Sequence, residues 1–176
     1  NLAYTRQAFE AVEGFKGISD LASGDDMLLM HKIYKWHPQG IGYIKSTDVI
    51  VQTAPMHSWN DFFNQRIRWA SKADKYDDKR IFWVLLLVYL LNLWLLLLPA
   101  IAMLCSKYSL FNTWLLMLAA KTIVELIFLL PVAAFFGKQK LLYYFPFMQP
   151  FHIVYTVIAG WLGKFGSYRW KERKVK

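Results

Sequence analysis

Cysteine is nearly absent from this 176-residue chain: Cys105 stands alone, so no disulfide can form within the chain. The histidines have neither the spacing of metal ligands nor a cysteine beside them, which favours surface or headgroup-level positions. They are His31, His37, His57 and His152. The sequence also lacks a P-loop, a G-x-G-x-x-G fingerprint and a G-x-S-x-G elbow. These absences leave dinucleotide-binding, kinase and serine-hydrolase functions without support.

Charged residues become rare after Arg80. Apolar residues make up 56% of the chain and aromatic residues 18%, and most of that excess lies in this second half. Residues 81–104 carry no charge, and as a helix they would span about 36 Å, enough to cross a bilayer. Residues 110–136 form a second apolar run. The first half therefore resembles a soluble protein and the second a membrane region.

The second apolar run contains one charged pair, Lys121 and Glu125. The two residues are one helical turn apart, so they can neutralise each other or face the interior of a helix bundle. An ion pathway is the alternative, but one local pair supplies no relay. We therefore favour a structural or acceptor-channel role.

The formal net charge of +9 would suit a nucleic-acid-binding protein, but the basic residues cluster beside the apolar segments. Anionic lipid headgroups and substrate phosphates are the expected partners, and nucleic acid is not. The chain begins at Asn1, without an initiator Met or a signal peptide. We expect it to be the C-terminal part of a longer protein.

In the first half, residues 4–12 are predicted to be helical. Residues 41–44 and 48–53 are predicted to form two short strands, and Ser58 is a suitable N-cap for the helix that follows. Two strands and two helices cannot bury a sizeable core alone, so a further N-terminal sheet is expected.

The helix after Ser58 carries the most specific pattern of the chain. Its apolar positions share one arc, as a core-facing or membrane-lying helix requires: Trp59, Phe62, Phe63, Ile67, Ala70 and Ala73. Gln65, Arg68 and Trp69 stand at i, i+3 and i+4, and so project together from a neighbouring sector. An amide, a guanidinium and an indole in one patch can hold a phosphate and stack on a sugar ring. Arg66 falls inside the apolar arc and must snorkel or find a partner.

These residues resemble the motifs of membrane-embedded family 2 glycosyltransferases, the group that includes cellulose and hyaluronan synthases. Gln65-x-x-Arg68-Trp69 is similar to their Q-x-x-R-W motif, and Gly24-Asp25-Asp26 resembles the acidic motif that carries the catalytic base. The segment around Asn1-Leu2-Ala3-Tyr4 and Arg6 and the stretch Val51-Gln52-Thr53-Ala54-Pro55 resemble flanking parts of the same pattern. The resemblance covers residues 1–80 by motif and the rest by layout.

Both patterns also have an interpretation without catalysis. Asp25 and Asp26 precede the apolar residues 27–30, where acidic side chains cap free amides and favour the helix dipole. The helix with Gln65, Arg68 and Trp69 could be an interfacial helix with basic and aromatic anchors.

The resemblance implies a GT-A-type α/β catalytic domain, of which this mostly α chain is the C-terminal portion, followed by a transmembrane α-helical bundle. The implied domains are residues 1–57 of the catalytic domain, an amphipathic interfacial helix at 58–80, a membrane region of two to three helices at 81–163, and a basic tail at 164–176. The implied activity is inverting transfer of a sugar from a nucleotide-sugar donor to a glycan or lipid-linked acceptor. Processive polysaccharide synthesis would be one form of it.

In the resembled enzymes a carboxylate acts as the base, which makes Asp26 the catalytic candidate. Asp25, Gln65, Arg68 and Trp69 are the candidate substrate-binding residues. A divalent metal, Mg or Mn, is implied with its ligands in a D-x-D motif outside this chain, so none of the residues present is assigned as a metal ligand. The implied location is the plasma or inner membrane, multi-pass, with the catalytic part cytoplasmic and membrane lipids as further partners.

The third apolar segment, residues 141–163, leaves the topology open. Pro146 and Pro150 make it a kinked crossing or a half-inserted hairpin. A third crossing would place the basic tail outside, whereas the positive-inside rule favours the inside. The length of the apolar run slightly favours the crossing.

Two other functions remain open at the level of sequence. One is the transfer of a single sugar to a lipid acceptor, which the motif does not exclude. The other is a non-enzymatic membrane module, such as a transporter half or a lipid-binding scaffold, that uses Lys121 and Glu125.

Overall fold

Helices account for most of the chain in a computed structural model that describes residues 2–18, 24–73, 78–170 and 173–175. The prediction that this chain is itself mostly α is confirmed. The α-helices are α1 (Arg6–Ala11), α2 (Asp25–Trp36), α3 (Trp59–Ala70), α4 (Lys79–Leu104), α5 (Ser109–Phe135) and α6 (Phe145–Phe165). Short 3-10 helices lie at Pro38–Gly40, Thr47–Val49 and Gln139–Tyr144, and a small antiparallel hairpin pairs β1 (Tyr168–Trp170) with β2 (Arg173–Val175).

The predicted strands at 41–44 and 48–53 are wrong. Residues 41–46 are irregular, and the second stretch is interrupted by the 3-10 turn Thr47–Val49. The Ser46 hydroxyl accepts a hydrogen bond from the backbone N–H of Asp48 (3.2 Å), which starts that turn. Tyr43 is 83% exposed, so most of its side chain has no neighbour to pack against among the described residues. A β-branched and aromatic pattern forms a strand only beside a partner strand, and the described residues supply none here.

The chain divides into two compact units. The first, here the motif unit, comprises the described residues up to Phe82 together with those from Leu162 onward. The second, here the apolar unit, comprises Trp83–Trp161.

The N-terminal part of the motif unit has a small core. Val12, Leu29 and Ile33 are buried together, and partly buried Ala8, Phe9 and Ile18 pack against them. The Lys32 ammonium donates to the carbonyls of Gly14 (2.6 Å) and Lys16 (2.9 Å), so it ties α2 to the turn that follows α1. Gly14 has φ +52°, and a Cβ there would lie 2.5 Å from the Phe9 ring, so this turn requires glycine. The predicted helix at 4–12 is confirmed, with the shorter bounds of α1.

Helix α3 begins where the sequence predicts. The Ser58 hydroxyl caps it by accepting from the backbone N–H of Asp61 (3.1 Å). The end of the chain returns to this helix, because the Arg169 N–H donates to Asn64 Oδ1 (3.3 Å). A Cβ on Gly163 would lie 2.7 Å from Ala70 Cβ and 2.9 Å from the backbone N of the next residue, so α6 ends in close contact with the end of α3.

In the apolar unit, α4 and α5 are long and apolar enough to cross a membrane. Only 17% and 6% of their most apolar stretches are buried, unlike the core helices of a soluble protein. The buried side of α4 is a stripe of Asn92, Leu95, Leu98 and Ala102. The Trp114 indole N–H of α5 donates to the Leu95 carbonyl (2.9 Å), which joins the two helices.

The third apolar segment forms a 3-10 turn and then the continuous helix α6. Pro146 stands in its first turn, where no backbone N–H is needed, and Pro150 does not end it. Gly160 allows close packing on α4, because a Cβ there would lie 2.6 Å from the Tyr89 ring. Among the described residues, α4 and α5 are the two helices that meet the length and hydropathy of a membrane span. The third crossing stays a prediction.

Candidate functional site

The acidic pair opens α2. Gly24 is the N-cap residue, with φ +90°, and Asp25 and Asp26 are the first residues of the helix. Asp26 Oδ1 accepts a hydrogen bond from the N–H of Met27 (2.8 Å). The positive end of the helix dipole stabilises a carboxylate at this position. Asp26 therefore has the helix-capping role that the sequence also allowed.

The three motif residues lie in the C-terminal half of α3. Gln65 and Arg68 are half-buried, while 48% of Trp69 is exposed. The Arg66 guanidinium, which was predicted to need a partner, lies 4.6 Å from the centre of the Trp69 ring and 4.9 Å from that of Phe62. These cation–π contacts hold the Trp69 ring beside the helix.

The acidic pair and the end of α3 are brought together within the motif unit. A Cβ on Gly24 would lie 2.8 Å from Lys72 Nζ, so the Lys72 side chain runs directly against the start of α2. Asp26 attracts both Arg68 and Lys72 electrostatically, and Asp25 attracts Lys72. Residues that lie about forty positions apart in the sequence therefore share one charged cluster.

Burial lowers the pKa of the Arg68 guanidinium, while Tyr168 and Asp26 act in the opposite direction. Burial also lowers the pKa of Lys72, and repulsion from Arg68 lowers it further, against the attraction of Asp26 and Asp25. Two half-buried cations next to two carboxylates thus form the charged cluster of the motif unit, here the motif cluster: Asp25, Asp26, Arg68 and Lys72.

The sequence patterns did not predict Lys72 and Tyr168 as residues of the site. Lys72 stands four residues after Arg68, a spacing that suggests a shared helical face, but the Q-x-x-R-W pattern ends at Trp69. Tyr168 belongs to β1, is buried and acts on Arg68. No local pattern links it to a residue one hundred positions earlier.

A second charged cluster lies in the apolar unit. The predicted pair of Lys121 and Glu125 is formed at 2.8 Å, and α6 adds Gln149 and His152. Lys121 Nζ lies 2.7 Å from Gln149 Oε1 and 3.2 Å from His152 Nδ1, and Gln149 Nε2 donates to Glu125 Oε2 (2.6 Å). Lys121, Glu125, Gln149 and His152 are here the apolar-unit cluster.

The described residues contain no group of three or more His, Cys, Asp or Glu side chains that could hold a metal ion. The divalent metal implied by the sequence resemblance therefore finds no ligand set in the part of the chain that the structure describes.

Comparisons with protein-family models, with curated protein sequences and with solved structures find no match to this chain.

Proposed function

We propose that this chain belongs to a membrane-integrated inverting glycosyltransferase that transfers a sugar from a nucleotide-sugar donor to a glycan or lipid-linked acceptor. The observation that carries the proposal is the motif cluster. The two sequence patterns that resemble the family lie far apart in the chain, yet their charged residues act on one another in the fold. Helix capping explains why a carboxylate stands at position 26. It does not explain why Arg68 and Lys72 lie beside that carboxylate.

In the proposed reaction the carboxylate of Asp26 and the cation of Arg68 have different roles. Asp26 takes the proton of the acceptor hydroxyl as its oxygen attacks the anomeric carbon. The bond between that carbon and the diphosphate oxygen breaks, and the diphosphate leaves with its negative charge. Arg68 stabilises this charge as a planar donor of several hydrogen bonds.

The remaining candidates position the substrates. Gln65, on the same part of α3, would hold the diphosphate or the acceptor through its amide. Trp69 would offer its ring as a platform for the acceptor sugar, with Arg66 holding that ring in place. Asp25 would contribute to substrate binding beside Asp26.

The proposal includes the setting of the enzyme. Helices α4 and α5 would anchor it as a multi-pass protein of the plasma or inner membrane, with the motif unit on the cytoplasmic side. A GT-A-type α/β region and the Mg or Mn ligands would lie outside the residues present here, so no step is assigned to the metal.

A non-enzymatic membrane module is the second candidate, because the apolar-unit cluster places charged residues among apolar helices. The two candidates differ in what they require of Asp26. Transfer of one sugar to a lipid and processive synthesis both require it, and product length distinguishes between these two.

The test is Asp26→Asn in the complete natural protein, reconstituted in lipid nanodiscs. Release of nucleoside diphosphate is measured with a panel of nucleotide sugars, and products are sized. We expect transfer to fall about 10²–10⁴-fold, as for loss of a general base, with donor binding nearly intact. Asp48→Asn is the matched control, since it removes a carboxylate from an exposed turn of the same unit. Near-normal transfer by Asp26→Asn would reduce Asp26 to a helix cap.

A further inference from the structure

We propose that Lys72 is a second phosphate-binding cation of this site and holds the diphosphate of the donor, and of the released product, together with Arg68. The inference rests on the proposed function, since it names how the same site would bind its donor. Lys72 lies outside the Q-x-x-R-W pattern, which ends at Trp69.

The position of Lys72 follows from the way α3 ends. Ser71 is the C-cap residue, and the chain continues in a tight turn in which the Lys72 N–H donates to the Trp69 carbonyl (3.4 Å). Lys72 follows Arg68 by four residues and lies just beyond the end of α3 at Ala70. The mutual repulsion of the two cations shows that they act on one another. Two neighbouring cations can each face one phosphate of a diphosphate.

Gly24 allows Lys72 to lie against the acidic pair. A Cβ at position 24 would lie 2.8 Å from Lys72 Nζ, 2.9 Å from its Cδ and 3.0 Å from its Cε. The φ of +90° at Gly24 also favours glycine. The lysine side chain therefore crosses the backbone immediately before Asp25 and Asp26.

The energetics distinguish a ligand site from a simple ion pair. A surface ion pair forms without burial and without a second cation beside the first. Here burial and the charge of Arg68 both oppose the protonated form of Lys72, and Asp25 and Asp26 offset only part of that effect. An arriving diphosphate would favour both cations at once. Cations whose pKa is lowered by burial and by a neighbouring cation are typical of functional sites.

The experiment measures binding of pyrophosphate and of UDP and GDP to the complete natural protein in nanodiscs, by calorimetry. We expect Lys72→Met to weaken the affinity for the diphosphate that binds best about tenfold, which corresponds to about 1.4 kcal/mol. Lys72→Arg keeps the charge and should remain within about threefold of the natural protein. Lys35→Met is the matched control, because it removes the same charge from the far end of α2, about 15 Å away along the helix.

Arg68→Met separates failure of this inference from failure of the proposed function. If Arg68→Met weakens diphosphate binding and Lys72→Met does not, the assignment of Lys72 is overturned and the proposed function stands. If neither variant changes binding, the diphosphate site itself is wrong.

A structural role for Lys72 makes a different prediction. Thermal unfolding of each variant is measured, and Lys72→Gln serves as a second variant that keeps a polar side chain. Folded protein with weakened diphosphate binding supports the proposal. Loss of folding in both Lys72→Met and Lys72→Gln, or an equal loss of affinity in Lys35→Met, overturns it.

Discussion

The two units each contain a cluster of charged residues, and the clusters are built in opposite ways. In the apolar-unit cluster the lysine is almost fully buried, with 4% of its side chain exposed, and its ammonium contacts a carboxylate, an amide oxygen and a ring nitrogen. In the motif cluster two cations stand side by side and repel each other, half-buried beside a carboxylate pair. In the apolar-unit cluster, hydrogen bonds within the cluster surround the lysine. In the motif cluster, the two cations repel each other, and a bound anion would relieve that repulsion.

Burial decides the role of a charge in each of the two units. A charge among apolar helices is tolerated when its hydrogen bonds are complete, and a complete network has little left with which to bind a ligand. Half-exposed charges keep part of their hydration, so a substrate can reach them. We therefore expect substitutions in the apolar-unit cluster to lower stability, and substitutions in the motif cluster to lower binding or transfer.

The largest effect on stability is expected from Lys121→Met. It leaves the Glu125 carboxylate without its cation, and breaking one partner of a buried pair costs about 3–5 kcal/mol in the free energy of unfolding. The measurement is chemical unfolding in detergent. Replacing Lys121, Glu125 and Gln149 together by apolar residues should recover most of the loss.

The control for this prediction is Thr122→Val in the same helix. The Thr122 hydroxyl donates within its own helix, to the Leu118 carbonyl (2.7 Å), so its loss should cost less than about 1 kcal/mol. Lys121→Met should also leave diphosphate binding unchanged. A stable Lys121→Met variant with altered binding would contradict the contrast between the two clusters and favour a ligand-handling role for the apolar unit.

The parts of the fold that the sequence predicted depend on local patterns. Ser58 predicts the start of α3 because a cap needs only the three residues after it. The membrane-length helices follow from uninterrupted apolar runs. The contact of Lys121 with Glu125 follows from a four-residue spacing on a helix.

The parts that the sequence did not predict depend on tertiary structure. Gln149 and His152 join Lys121 across 28 and 31 residues, and no periodicity encodes that pairing. Lys72 meets Gly24 only because α3 folds back to the start of α2. The predicted strands at 41–44 and 48–53 failed for the same reason, since a strand requires a partner that a local pattern cannot guarantee.

A smaller effect is expected from Trp69→Ala, and it should fall on substrate use. The change removes the platform for the acceptor sugar, so the KM for the acceptor should rise about three- to tenfold, in line with the about 0.5–1.5 kcal/mol of an aromatic contact. The lost contact with Arg66 should cost about 0.5–1 kcal/mol of stability. Steady-state kinetics with the acceptor varied measures the first effect.

Trp59→Ala is the matched control for that change. Trp59 lies at the other end of α3 and is 69% exposed, so its loss removes a similar area without touching the motif cluster. Equal effects of the two substitutions on the acceptor KM would show that Trp69 acts as an interfacial anchor and not as a sugar platform.

The smallest expected effect is a dependence on pH that distinguishes stability from binding within the motif cluster. The pKa of Lys72 is lowered from 10.5, with burial as the largest cause. Between the lowered pKa and 10.5 the unfolded chain keeps a proton that the folded chain has released, so the stability contribution of Lys72 rises with pH in this window.

A diphosphate binds the protonated amine, so its affinity should fall across the same window. In Lys72→Arg, whose guanidinium stays charged, the decline in affinity should move to higher pH. Titrating diphosphate affinity from about pH 8 upward in the natural protein and in Lys72→Arg tests this. Parallel curves would mean that the Lys72 proton is not linked to the ligand, and the assignment of Lys72 as a phosphate-binding cation would then be wrong.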